Sequence, residues 1–150
     1  MCAGCASPTA RQVAALPDYH ATQDYNLMNS VFESVHAIAT RNLRVGMSPA
    51  DARRVMGAPK LERADARRGL GNPELDQAEG PSRVQIWTYL RSISGTWEYN
   101  LVFLDGRLEF FGELNPQWLD MESYTRDFPQ IKRVHDAIVG EKNAEHAGGG

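Results

Sequence analysis

The clearest periodicity in the chain runs from Asp24 to Arg41. Leu27, Met28, Val31, Phe32, Val35, Ile38 and Ala39 recur there at three- and four-residue spacing. Such spacing lines one side of a helix with apolar groups and predicts an amphipathic helix over 24–41. Asp24 near its start and Arg41 near its end complement the helix dipole. His36 sits at the edge of the stripe and reads as a structural histidine, not a ligand.

A shorter helix announces itself by its ends. In the run from Gly46 to Pro59, Ser48 is placed to cap an N-terminus, Pro49 occupies the first helical position and Asp51 follows three residues after the cap. Met47 and Ala52 stand at the positions of a hydrophobic staple. Gly57 supplies a left-handed residue beyond the end, and Pro59 forbids continuation.

Beyond this point the period falls from 3.6 to 2. Lys60 to Arg63 is a candidate short strand, and residues 64–83, with three glycines and two prolines, read as a long disordered or variable loop. Gly69-Leu70-Gly71 is no phosphate loop, because neither a preceding strand nor a following Lys-Ser/Thr accompanies it. Three strands are predicted next: Val84 to Arg91, Thr96 to Leu104 and Arg107 to Leu114, with Asp105-Gly106 as a two-residue hairpin turn. If Leu104 opposes Arg107, then Phe103 faces Leu108, Leu101 faces Phe110 and Trp97 faces Leu114. Trp97, Tyr99, Leu101, Phe103, Leu108, Phe110 and Leu114 would then share one face.

Val84 to Arg91 is apolar on both sides, with Ile86 and Leu90 on one and Trp87 and Tyr89 on the other. Both faces of the sheet therefore need cover. Asn115-Pro116 ends the sheet, and a last amphipathic helix over Pro129 to Val139, carrying Ile131, Val134 and Ile138 and ended by Gly140, is the candidate for the second face. The expected fold is α+β: two N-terminal helices packed on a three-stranded antiparallel meander, with an extra C-terminal helix. This domain would span 24–140, between a tether over 1–23 and a disordered tail over 141–150.

At 150 residues the chain supports one core. A net charge of −3 gives no general attraction to nucleic acid or anionic membrane, and no nucleic-acid partner is expected. Residues 41–68 hold eight basic against three acidic side chains, and residues 98–127 seven acidic against two basic. These read as two surfaces of opposite sign that partly neutralise each other. No run of about 18 apolar residues could span a membrane. His20, His36, His135 and His146 lack ligand spacing, and no Ser-His-Asp elements stand out. No catalytic residue, metal or cofactor is therefore expected. Glu109 and Glu113 beside Phe111 read as solvated carboxylates.

Both cysteines lie in Cys2-Ala3-Gly4-Cys5. A redox pair would need a helix N-terminus to lower the thiol pKa, and a zinc site would need a second CxxC. An unremarkable terminal pair is a further possibility. The favoured reading is a lipobox remnant: Ala-Gly-Cys followed by small residues resembles the site at which bacterial lipoproteins are cleaved and acylated. Cys2 stands where Leu is usual, so the chain is expected to begin inside a truncated signal peptide, with Cys5 as the lipid attachment site. Ala6 after Cys5 favours outer-membrane sorting.

Leu43-Arg44-Val45-Gly46-Met47-Ser48 through Val55-Met56-Gly57-Ala58-Pro59 resembles the "GMT…V…LG.P" segment of the SmpA/OmlA (BamE-like) outer-membrane lipoprotein family. Trp87-x-Tyr89 is similar to that family's W-x-Y strand, and Leu101 to Leu108 to its "yF.dg.v" hairpin. The resemblance covers about residues 24–114. It implies helices packed on an antiparallel sheet and a non-catalytic interaction or assembly module, lipid-anchored at the periplasmic face of the outer membrane with an envelope protein as partner. No counterpart of the best-known member's partner-contacting N-terminal segment is present. A periplasmic inhibitor or ligand-binding domain of β-lactamase-inhibitor-like architecture is the alternative. Interface anchors are rich in Trp, Tyr and Arg, which makes Trp87, Tyr89, Trp118, Arg53 and Arg54 the candidate partner surface, with core packing as the competing explanation for the aromatics.

Overall fold

The computed structural model describes residues 8–14, 25–68, 73–77, 80–91 and 97–148. Its sheet has four strands, β1 (Leu61–Arg63), β2 (Val84–Arg91), β3 (Glu98–Leu104) and β4 (Arg107–Leu114), in the spatial order β1-β2-β3-β4 with every pair antiparallel. The helices are α1 (Pro8–Ala14), α2 (Tyr25–Asn42), α3 (Pro49–Met56), the single turn α4 (Pro73–Asp76), α5 (Glu122–Asp127) and α6 (Lys132–Gly148). This corrects the expected two helices, three strands and one extra helix. Among the described residues there are five helices of six residues or more and a four-stranded sheet. The missed helices α1 and α5 are seven and six residues long, too short for their periodicity to register, while β1 falls within the candidate short strand Lys60 to Arg63 and joins the meander as its fourth strand.

The hairpin between β3 and β4 turns through Asp105 and Gly106, whose φ values of 52° and 76° are those of a type I′ turn. Leu104 opposes Arg107 and Phe103 opposes Leu108. The register then slips: Val102 opposes Phe110, Leu101 opposes Phe111 and Glu98 opposes Leu114, leaving Glu109 as the extra residue of a bulge. A second bulge leaves Tyr89 unpaired between the Thr88–Asn100 and Leu90–Tyr99 pairs. One extra residue moves all that follows to the other face. Phe110 and Leu114 therefore leave the face expected for them, and Leu90 joins Trp87.

Helices cover both faces. Trp87, Tyr89, Leu90, Tyr99, Leu101, Phe103 and Leu108 pack with Val31, Phe32, Val35, Ile38, Ala39, Ala52 and Met56 of α2 and α3. The side chains of Leu27 and Met28 lie outside the described ones. Val13 of α1 is buried in the same cluster, and α1 contacts both α2 and α3. On the opposite face Val84, Ile86, Val102, Leu104 and Leu114 meet Leu119 and the Ile131, Val134, Ala137 and Ile138 row.

Ala66 and Leu75 complete this second core, and the Ala66 N–H donates to the Val84 carbonyl at 3.0 Å. Part of the expected loop is thus packed. Arg67, 1% exposed, donates to Asp65 Oδ1 and Oδ2 at 2.8 and 2.7 Å and to the Gly80 carbonyl at 2.5 Å. Glu141 accepts from the Arg83 N–H at 2.6 Å and from Ser82 Oγ at 3.1 Å. These bonds hold α6 beyond Gly140, which does not end the helix. A mid-helix glycine costs only about 1 kcal/mol, and no proline follows it.

The capped helix sits as its ends direct. Ser48 Oγ accepts from the Asp51 N–H at 3.2 Å, and the Gly57 N–H donates to the Arg53 carbonyl at 2.8 Å. Gly57 itself has φ 80° and ψ −173°, a positive-φ conformation open to glycine but outside the left-handed helical region. Ahead of the helix, the Gly46 N–H donates to the Leu108 carbonyl at 2.7 Å and the Leu108 N–H to the Met47 carbonyl at 2.8 Å. The approach to α3 is therefore hydrogen-bonded to the outer edge of β4, through a glycine with φ 96°.

Candidate functional site

The residues nominated from the sequence fall into separate places. Cys5 lies outside the described residues. Trp87 and Tyr89 are 2% and 3% exposed, at the seam between β2 and α3. The Arg53 guanidinium lies 4.6 Å over the Trp87 ring and forms a 2.8 Å ion pair with Glu62 of β1. Tyr89 Oη donates to the Gly57 carbonyl at 2.7 Å. Arg53, Trp87 and Tyr89 are thus brought together, but as the contact that seats α3. Neither aromatic reaches a surface from which it could meet a partner or inhibit an enzyme. Their side chains face a packed helix, the burial that core packing required. Arg54 is exposed and pairs with Asp51 of its own helix.

Trp118 is 38% exposed and belongs to a different cluster. It sits on a 3₁₀ turn, Pro116–Trp118, started by Asn115, whose Oδ1 accepts from the Gln117 N–H at 3.1 Å. Its ring meets Trp97 edge-on at 5.5 Å and Tyr124 at 5.4 Å; Tyr124 continues to Phe128 at 5.9 Å, and Phe128 to Phe110 at 5.2 Å. Edge-to-face aromatic pairs at these separations hold one another in orientation. His135, buried in α6, points Nδ1 at the Leu119 carbonyl at 2.7 Å and ties the turn to the helix.

Against this cluster lies a cavity of about 350 Å³ lined by Trp97, Glu113, Tyr124 and Phe128. A second cavity, of about 270 Å³, is lined by Phe32, Glu33, His36, Tyr99 and the same Glu113. The carboxylate of Glu113 is the element common to both. It has no hydrogen bond or ion pair among the described residues. Partial burial pushes its pKa above the usual carboxylate value. Glu109 differs: it forms a 2.9 Å ion pair with Arg133. In the second cavity His36 Nδ1 and Tyr99 Oη are 2.8 Å apart, so the exposed edge of α2 is fixed to the sheet. The Tyr124 phenol is also raised, chiefly by burial, and accepts the Asn115 N–H at 3.2 Å.

A third cavity, about 480 Å³, is bounded by Leu61, Glu62, Arg63, Ala64, Asp65, Arg68 and Arg91. Its cations are matched by internal anions. Arg63 forms two bonds to the buried Glu98 at 3.0 and 3.1 Å, Arg91 lies 3.4 Å from the same carboxylate, and Arg68 pairs with Asp65. The basic excess of residues 41–68 is thus partly consumed inside the fold.

The Glu113 cleft was not among the nominated sites. Its walls come from positions 97, 113, 124 and 128, with 32, 33, 36 and 99 on the other side, and no local spacing joins them. The sequence signal it did carry was the density of acidic and aromatic residues over 97–128. Among the described residues no group of three or more His, Cys, Asp or Glu is placed to hold a metal ion, and no helix is long and apolar enough to cross a membrane. Compared with known protein families, curated proteins and solved structures, the chain matches none.

Proposed function

We propose that this chain is a non-catalytic envelope lipoprotein of the SmpA/OmlA type, acting as an interaction or assembly module at the periplasmic face of the outer membrane. The observation that carries the reading is Cys5, set after Ala3-Gly4 and three residues ahead of a helix that packs on the domain. The capped segment from Gly46 to Pro59 and the Asp105-Gly106 hairpin support it as family motifs.

Packing of α1 gives the anchor a physical consequence. Three residues span at most about 10 Å, so an acylated Cys5 holds the α1 and α3 side of the domain close to the bilayer. Arg53 and Arg54 on α3 and Trp118 beyond the sheet are the exposed members of the nominated partner surface. One acyl chain binds a membrane only marginally, so durable attachment needs the several chains of a mature lipoprotein.

The test is expression from the complete upstream reading frame, with fractionation of membranes and intact-mass measurement. Wild type is expected in the outer-membrane fraction with an acylated N-terminal cysteine, and Cys5→Ala in the soluble fraction. A Cys5→Ala form that still sediments with the outer membrane, or an unmodified Cys5, overturns the proposal.

A further inference from the structure

We propose that the Glu113 cleft is a binding site for a small alkylammonium cation, its positive nitrogen at the Glu113 carboxylate and its alkyl groups against Trp97, Tyr124 and Phe128. The inference stands on the cleft alone and is independent of how Cys5 is used.

Three observations converge. Glu113 has no cationic or hydrogen-bonding partner among the described residues, although every other acidic side chain of the β3–β4 hairpin, turn included, has an arginine beside it: Glu98 with Arg63, Asp105 with Arg83 and Glu109 with Arg133. A partly desolvated carboxylate without a counter-ion leaves its best interaction to a ligand. Next, three aromatic rings share the cavity with it. Ring faces attract cations, and the attraction strengthens where water is excluded. The edge-to-face packing of Trp97 on Trp118 and of Trp118 on Tyr124 holds two of these rings before any ligand arrives. Lastly, among the described residues no lysine or arginine lines either cavity that meets at Glu113, and Glu33 adds a second carboxylate on the far side. The acidic excess of residues 98–127 repels anions from the same region.

The dimensions fit the class. A volume of about 350 Å³ is at the small end of ligand pockets, which run from roughly 300 to 1,000 Å³. Charge and shape can therefore be separated with two probes of equal size: choline, and its neutral carbon analogue 3,3-dimethylbutan-1-ol.

The experiment titrates the full chain with each probe, read by calorimetry and by tryptophan emission. Choline is expected to bind saturably, with the neutral analogue at least about tenfold weaker. Glu113→Gln, at an exposed position unpaired among the described residues, is expected to weaken choline binding about tenfold while the protein stays folded by circular dichroism. Trp97→Leu is expected to weaken choline and to shift the emission response. No saturable choline binding by the wild type up to about 100 mM overturns the proposal. So does equal binding of the neutral analogue, and so does undiminished choline binding by folded Glu113→Gln.

Discussion

The phenol of Tyr89 donates a 2.7 Å hydrogen bond to the carbonyl oxygen of Gly57, the residue that closes α3. Tyr89 is also the extra residue of the β2 bulge, so the irregularity in the strand directs this donor at the helix end. Burial holds the phenol far above its ordinary pKa, and it remains a donor at any physiological pH. Helix and sheet are joined at the point where each departs from regular geometry.

Tyr89→Phe removes that donor and leaves the part-buried Gly57 carbonyl without it. The expected cost is about 1–2 kcal/mol, the penalty for an unsatisfied buried acceptor. Urea denaturation should show a lower midpoint with an unchanged slope. An unaltered midpoint would mean that α3 is seated by Arg53 and Trp87 alone.

Gly46 and Gly140 make a contrasting pair. A Cβ at either meets open space, but Gly46 has φ 96° while Gly140 lies within α6. Gly46→Val is expected to cost about 1–3 kcal/mol through backbone strain alone. Gly140→Ala is expected to stabilise by about 0.5–1 kcal/mol, because the native conformation there suits alanine. Thermal denaturation of both variants checks the opposite signs.

Glu98 is buried between Arg63 and Arg91, and its Oε1 lies 3.0 Å from Thr88 Oγ1. Arg63→Met leaves a buried carboxylate with only the 3.4 Å ion pair to Arg91 and the hydrogen bond from the Thr88 hydroxyl. The loss should be about 3 kcal/mol, the lower end for a broken buried pair. The double variant Arg63→Met with Glu98→Leu should recover most of it. A double variant as unstable as the single would show that Glu98 has a role beyond compensating Arg63.

Two carboxylates give stability opposite dependence on pH. For Asp65, burial raises the pKa, but the hydrogen bonds from Arg67 and the charges of Arg67 and Arg68 lower it further, and the net shift is downward. Its contribution is present above the unfolded value of about 3.9 and is lost as pH falls through the folded value. Asp65→Asn should therefore be less stable than wild type at neutral pH, with the gap closing in acid.

Glu113 is raised, so the relative stability it confers is present below about pH 4 and is lost as pH rises through the folded value. Glu113→Gln should accordingly be slightly more stable than wild type at neutral pH, by less than about 1 kcal/mol given its exposure, and equal to it in acid. Denaturation midpoints across the pH range check both signs. A carboxylate that weakens the fold where it is ionised has a place in a binding cleft.

Signals that act within a few residues were legible in the chain. The Ser48 cap, the stop at Gly57, the Asp105-Gly106 turn and the stripe from Val31 to Ala39 each depend on the near backbone, and each stands where its spacing puts it. The bulges at Tyr89 and Glu109 were not legible, because alternation of apolar residues continues on both sides of an inserted position. Phe110 and Leu114 are as hydrophobic as the residues opposite, and either face of a doubly covered sheet accepts them.

By itself the sequence determined most of the local elements and the need for cover on both sheet faces. Only the tertiary structure decided that Trp87 and Tyr89 are core, that Arg67 and Glu141 fasten a polar loop to α6, and that Trp97, Glu113, Tyr124 and Phe128 share one cavity. The physical reason is that burial and charge pairing are properties of position in space. An aromatic side chain lowers the free energy by leaving water whichever partner covers it, and nothing in the residue names that partner. A carboxylate becomes a candidate site only when the fold sets it in a cleft with no cation beside it, as it sets Glu113 among the described residues.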